Sequence, residues 1–357
     1  MYRIHIKAGP RALAIIRDGG FDFDRVRTYF GPAAGPRWLV SGGFDLSLLE
    51  NGLLGRKHPV QLIGSSAGAW RFAAWLLPEA QKCYQALAEA YICAKYERTD
   101  TPKRILNTLG HIINAYIEDD ALPFAMANKQ YRLAVITVRA KNLVASEISW
   151  IQSLGLAMAF ALNAINRSYL DHFAERVVFY HGSKPPAFCL TEDFKGIHVP
   201  LSEVNFKQAV LASGAIPLVV AGVKDIYGAP RGIYRDGGLL DYHLTHNYAE
   251  REDDLVLMFH HQERLIPGWL DKKLPKRKPS ASALENIVMV HLAQKFIANL
   301  PASKVPDRDD LVTYVNDPGT RIRNWRQAFE MCTTIGEEFL EIVESGKIRK
   351  FAEQLAH

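Results

Sequence analysis

Ser66 stands at the centre of Gly64-Ser65-Ser66-Ala67-Gly68, between the apolar run 60–63 and a second apolar run that begins at Ala69. This Gly-x-Ser-x-Gly spacing is what a nucleophile elbow needs. A strand ends, the chain reverses sharply, a helix begins, and the serine hydroxyl is left at the edge of a sheet. Gly64 and Gly68 keep side chains out of the space where strand and helix approach. The free N–H groups and positive end of the helix favour the negative charge that develops during acyl transfer.

A serine nucleophile needs a base to take its proton. One candidate is Asp236, in Tyr234-Arg235-Asp236-Gly237-Gly238. An acid at a strand end followed by two glycines can be held at a sheet edge with its neighbours out of the way, although Asp-Gly is also a common turn dipeptide. The other candidates are His243, His246, His260 and His261, which would make a Ser-Asp-His triad of the α/β-hydrolase type. Upstream, the loop Gly31-Pro32-Ala33-Ala34-Gly35-Pro36-Arg37-Trp38 can bring backbone N–H groups close to a ligand, because few side chains stand in the way.

The elements that must position these residues alternate. Strands are predicted at 2–7, 12–16, 131–138, 176–180, 232–235 and 254–260, besides the one that leads into Ser66. Helices are predicted at 44–51, 70–77 and 79–96, and after the N-cap Thr101 with Pro102 in the first helical position. Further helices are predicted at 149–165, 206–212 and 280–300. A last long helix carries Trp325, Phe329, Cys332, Ile335, Phe339 and Ile342, and residues 301–320 read as loop. Alternation of this kind argues for a layered α/β fold with a largely parallel sheet.

The 357 residues carry a net charge of +5, with 48% hydrophobic and 23% charged residues. This is an ordinary globular composition, long enough for a sizeable core. The charge is dispersed except near 272–278, so nucleic-acid binding is not indicated. The four cysteines, Cys83, Cys93, Cys189 and Cys332, are far apart and read as reduced core residues of a cytoplasmic protein. No metal-ligand spacing is visible. The opening residues lack the long apolar segment of a signal peptide. The greasiest stretch, 154–162, is too short to span a bilayer, which takes about 20 residues.

Three successive motifs resemble the signatures of patatin-like phospholipases. They are 63–69 around Ser66, Ala212-Ser213-Gly214-Ala215-Ile216-Pro217, and Asp236-Gly237-Gly238. Ala33-Ala34-Gly35-Pro36-Arg37 lies where that family has a glycine-rich Gly-Gly-Gly-x-Arg loop, with Gly43 and Leu48 at matching offsets in the helix that follows. The resemblance covers roughly 27–260. It implies a three-layer α/β/α sandwich and a Ser66–Asp236 dyad with no catalytic histidine, cofactor or metal. It also implies an oxyanion hole from the N–H groups around Gly35 to Arg37, with Gly35 and Arg37 as the donors because Pro36 has none. The substrate implied is a phospholipid, lysophospholipid or neutral acyl ester. Two departures stand out: Ala33 and Ala34 replace glycines, and Leu239-Leu240-Asp241-Tyr242-His243-Leu244 lacks the family's Asn-x-Pro.

On this reading 1–26 is an N-terminal extension packed on the core and 27–262 is the catalytic core. Residues 263–357 are a basic loop and C-terminal helices on the same domain. Lys272, Lys273, Lys276, Arg277 and Lys278, mixed with Trp269 and leucines, form a loop that could rest peripherally on an anionic membrane. The helix at 149–165 reads as a packing helix, with a greasy flap over an acyl pocket as the sharper alternative. A patatin-fold protein that binds lipid with little turnover is the alternative from another functional class, motivated by the altered glycine loop.

Overall fold

A computed structural model describes residues 2–243 and 246–355. Leu244, in the stretch that lacks Asn-x-Pro, lies outside them. The chain opens with strand β1 (Ile4–Ala8), helix α1 (Pro10–Gly19), strand β2 (Val26–Gly31) and helix α2 (Gly42–Glu50). Strand β3 (Val60–Ser65) leads into helices α3 (Ala67–Trp75), α4 (Ala80–Cys93), α5 (Pro102–Asn114) and α6 (Leu122–Ala127). Next come β4 (Tyr131–Ala140), α7 (Ser149–Ile165), β5 (Ala174–Tyr180), β6 (Ile197–Pro200) and α8 (Phe206–Ser213). Strands β7 (Val223–Lys224), β8 (Ile233–Asp236) and β9 (Leu255–His260) precede α9 (Ala281–Leu284) and β10 (Ile287–Leu292). The C-terminal part holds α10 (Gln294–Ile297), α11 (Asp309–Thr313), α12 (Pro318–Met331), α13 (Ile335–Glu344), α14 (Ile348–Phe351) and β11 (Glu353–Gln354).

Among the described residues, eleven strands form one sheet in the order β11-β1-β10-β9-β2-β3-β4-β5-β6, with β8 on β4 and β7 on β8. The run β10-β9-β2-β3-β4 is parallel throughout. Alternate residues serve opposite faces. Tyr29, Leu62, Leu133 and Leu257 belong to one core, and Phe30, Ile63, Ala134 and Met258 to the other. Burial on both faces is why these strands read as continuous apolar runs. The first face is covered by α1–α5, α8, α12 and α13, through residues such as Leu13, Phe44, Phe72, Leu87, Val210, Trp325 and Phe339. The second is covered by α9, through Ala283 and Leu284, and by α7, through Leu156 and Ala159. The molecule is an α/β/α sandwich.

Several elements differ from the sequence expectation. Residues 12–16 are helical: Pro10 opens α1, and Ala12, Leu13 and Ile16 share its buried side. The predicted helix at 280–300 is α9, strand β10 and α10. Leu284, Val288 and Leu292 have helical spacing, but Ile287-Val288-Met289-Val290 is buried on both faces and pairs with β9 and β1. Periodicity does not separate a fully buried strand from a buried helix. The stretch 301–320 contains α11 and the start of α12, and the last long helix breaks into α12 and α13 at Cys332-Thr333-Thr334. Strand β1 pairs with β10, so residues from the two ends of the chain extend one sheet. Among the described residues, no helix is long and apolar enough to cross a membrane.

Candidate active site

The sheet register brings the two central residues together. β3 ends at Ser65, paired with Ile136 of β4. From Thr137 to Ala140, β4 is flanked by β5 on one edge and by β8 on the other. β8 therefore continues the edge that β3 vacates. It runs antiparallel to β4, toward β3, and sets Asp236 opposite Thr137. Ser66 and Asp236 thus meet end to end along one edge of β4. The Ser66 hydroxyl donates to Asp236 Oδ2 at 2.7 Å. Asp236 Oδ1 accepts the Gly238 N–H at 2.7 Å. The two side chains sit in residues only 5% and 6% exposed.

Ser66 has φ 54° and ψ −125°, a strained conformation for a residue with a side chain. The glycines around it permit very close packing. A Cβ on Gly64 would lie 2.4 Å from Ala69 Cα, and one on Gly68 would lie 1.9 Å from the Gly31 carbonyl oxygen. The Ser213 motif brackets the pair. The Ser66 N–H donates to Ser213 Oγ at 2.8 Å, and Ser213 donates on to the Ile136 carbonyl at 2.7 Å. The Asp236 N–H donates to the Ala215 carbonyl at 3.0 Å. Sequence reading located this motif but gave Ser213 and Ala215 no role, because one fixes Ser66 and the other Asp236 only once the chain is folded.

Gly35 to Ser41 form a 3-10 helix. The first three N–H groups of such a helix have no partner within it. Here they belong to the N-cap Ala34, to Gly35 and to Pro36, which has none; the Arg37 N–H closes the first turn on the Ala34 carbonyl, so of the two expected donors Gly35 alone is left without a partner inside the helix. Gly35 has φ +55°, the left-handed region that glycine adopts without strain. It lines two cavities together with Ser66, whereas Arg37 lines another with His260 and His261. The helix is anchored from below. Arg71 bonds the Ser41 hydroxyl, which donates to the Trp38 carbonyl at 2.6 Å. Arg71 also pairs with Asp45 at 2.9 Å.

The larger cavity has a volume of about 510 Å³ and an apolar wall that includes Trp70, Ile105, Leu109, Ile216 and Val219. The smaller one is lined by Asp236, Tyr242, Trp269 and Arg308 among others. Ser66, Gly35 and Arg308 face both. Burial raises the pKa of Asp236 above the usual carboxylate value. The hydrogen bonds from Ser66 and Gly238 and the charges of Arg308 and Lys272 oppose that shift. Lys272 lies 4.1 Å over the Tyr242 ring, and burial, helped by Arg308 and Arg37, brings its pKa down to about 8. Neither Arg308 nor Lys272 marked itself in the sequence as a site residue. Arg308 sits in a stretch read as loop, and Lys272 was one of five basic residues expected to face a membrane.

Of those five, Lys273, Lys276 and Lys278 are exposed, while Arg277 turns in to the Asn163 carbonyl at 2.8 Å. Helix α7 does not line the larger cavity. It touches the cavity's rim, where Gln152 Oε1 accepts the Leu218 N–H at 2.6 Å, and it leaves Trp150, Leu154, Met158 and Ile165 exposed.

The histidines form a separate arrangement. His243 Nδ1 accepts the Ile266 N–H at 2.9 Å, so its Nε2 carries the proton and donates to His260 Nε2 at 3.1 Å. His260 Nδ1 then donates to the Gln262 carbonyl at 2.5 Å. Burial lowers the pKa of both rings, that of His260 to about 3, which keeps them neutral. His261 packs against His260, and His246 packs against Phe194. Among the described residues none of the four hydrogen-bonds Ser66 or Asp236, and no group of three or more His, Cys, Asp or Glu is placed to hold a metal ion.

No family model matches the chain, and no curated protein matches it. Among solved structures it is similar to the crystal structure of VipD from Legionella pneumophila. The TM-score is 0.36 and the identity 12%, over 93% of this chain and 70% of that one.

Proposed function

We propose that the chain is a lipid acyl hydrolase that cleaves carboxylic esters through an acyl-enzyme on Ser66. The observation that carries this reading is the 2.7 Å hydrogen bond from Ser66, at a strained elbow, to a buried carboxylate beside a large apolar chamber. The three motifs that resemble those of patatin-like phospholipases agree with it. Asp236 accepts the Ser66 proton as Oγ attacks the ester carbonyl. Burial raises the carboxylate's proton affinity, which suits a base. The negative charge on the carbonyl oxygen is met first by the N–H group of Gly35; Arg37, the second donor that the resemblance implies, would have to release its bond within the 3-10 helix to join it. The proton on Asp236 passes to the leaving alcohol. A water then gives a proton to Asp236, attacks the acyl carbonyl and releases the acid, and Ser66 recovers its proton. The acyl chain lies in the apolar chamber, which is within the size range of small-molecule sites. Contact with an anionic lipid surface belongs to the same reading, through Lys273, Lys276 and Lys278.

The test is labelling with a fluorophosphonate serine-hydrolase probe. The native chain should label, Ser66→Ala should not, and Asp236→Asn should label much more slowly. Absence of labelling in the native chain would sink the hydrolase reading and favour a lipid-binding protein with little turnover. Labelling that survives Asp236→Asn but is lost on replacing one of the four histidines would favour the triad.

A further inference from the structure

Two cations at the site have no ion-pair partner. Among the described residues, neither Arg308 nor Lys272 has a carboxylate within 4.0 Å, although thirteen other Arg and Lys side chains with 26% exposure or more do form such pairs. Both are half-buried. Arg308 lies across the oxyanion loop, with Nε 3.3 Å from where a Cβ on Gly35 would sit, and lines both cavities that meet at Ser66. Lys272 stands over Tyr242, which lines the smaller cavity. The charges of Arg308 and Arg37 raise the cost of holding the charge on Lys272. Partly buried positive charges left unpaired are expensive, and sites that bind a charged ligand are where that expense persists. The acidic groups at the two cavities make no ion pair with them: Glu97 is engaged with Arg104, Asp309 is exposed, and Asp236, which favours the charge on Lys272, is bonded to Ser66 and Gly238.

We propose that Arg308 and Lys272 form a seat for a group of net negative charge beside the scissile ester, and that the site thereby selects acyl lipids with an acidic headgroup, such as a phosphomonoester, over zwitterionic or neutral ones. This rests on the acyl-hydrolase reading for the placement of the ester. The guanidinium offers paired donors to two phosphate oxygens, and the ammonium adds a point charge.

Binding to the Ser66→Ala chain tests this without requiring turnover, so it can fail while the probe labelling succeeds, and the reverse. The ligands are dodecyl phosphate, dodecylphosphocholine and inorganic phosphate, measured by calorimetry below the micelle range. Dodecyl phosphate should bind about tenfold or more tighter than dodecylphosphocholine, as expected for one added charge-assisted contact. Raising NaCl from 0.05 to 0.5 M should shrink that preference, about as screening dictates. Adding Arg308→Gln and Lys272→Gln together should remove it. Equal binding of the two amphiphiles, a salt-insensitive preference, or a preference that survives both substitutions overturns the proposal. Inorganic phosphate binding as tightly as dodecyl phosphate would assign the seat to free phosphate and overturn the lipid selection.

Discussion

The chain buries two carboxylates near the 3-10 helix at Gly35–Ser41; burial raises the pKa of both, but they differ in the partners they are given. Asp45 is fully enclosed and fully matched. It accepts the Tyr29 hydroxyl at 2.5 Å and the Tyr84 hydroxyl at 2.6 Å, and it pairs with Arg71 at 2.9 Å. Asp236 is almost as deeply buried but accepts one hydroxyl and one N–H, while its nearby cations, Arg308 and Lys272, stay out of ion-pair contact. A matched charge fixes structure: Asp45 and Arg71 tie α2, α3 and the 3-10 helix at Gly35–Ser41 to one another. An unmatched one holds back bonding capacity that a substrate can take up. The same residue types at similar depth therefore do different work, and the number of satisfied partners separates them.

The largest effect should come from breaking the matched pair. Arg71→Leu leaves Asp45 buried without its counter-ion, and denaturant unfolding should show a loss of about 3–5 kcal/mol. A loss under about 1 kcal/mol would mean that Asp45 takes up a proton readily and that the pair is not what holds the loop.

Asp236→Asn should act the other way on stability. Turnover of a soluble ester should fall by about 10²–10⁴-fold, the range for losing a positioned base. The melting temperature at pH 7 should nevertheless rise. Burial raises the folded pKa of Asp236, so its ionised form costs stability at neutral pH, and an uncharged amide removes that cost. The sign follows from linkage: a carboxyl with a raised folded pKa stabilises most when protonated, at low pH. The advantage of Asn over Asp should therefore shrink as pH falls through that raised value. A variant less stable than native at pH 7 would contradict the unmatched description of Asp236.

A smaller effect is expected at the surface. Replacing Lys273, Lys276 and Lys278 by Gln should weaken sedimentation with anionic vesicles, by up to about 1 kcal/mol per lysine near the membrane. Binding to zwitterionic vesicles should not change. Unaltered anionic binding would remove these lysines from any role in lipid contact.

The smallest effect concerns pH. Activity should rise with pH along an acid limb that lies above the ordinary carboxylate range, because the base must be ionised. Arg308→Gln should move that limb to still higher pH, since the Arg308 charge pulls the Asp236 pKa down. A limb that stays in place would show that the two charges do not feel each other.

Much of this was legible in the sequence, and the illegible parts were so for physical reasons. The layered α/β class followed from alternating segments, and the elbow followed from local spacing at 64–68. The failures have local reasons. Ile287–Leu292 lost its strand signature because both of its faces are apolar, and the helix α1 was hidden by the adjacent Ile15 and Ile16. Arg308 and Lys272 were invisible for a different reason. A lone basic residue in a loop has no pattern, and its meaning depends on whether folding gives it a partner.

What the sequence determined by itself is what short-range sterics can enforce. Glycines at 64 and 68 allow an elbow, Pro36 removes one N–H from the loop, and Thr101 with Pro102 starts α5. Tertiary structure alone decided that β8 takes over the edge of β4 where β3 stops, which sets Asp236 against Ser66. It also decided that Asp45 is matched while Asp236 is not, and that the histidines bond one another instead of the serine. Those outcomes depend on strand register and on which side chains reach a common point, and distance along the chain does not encode either.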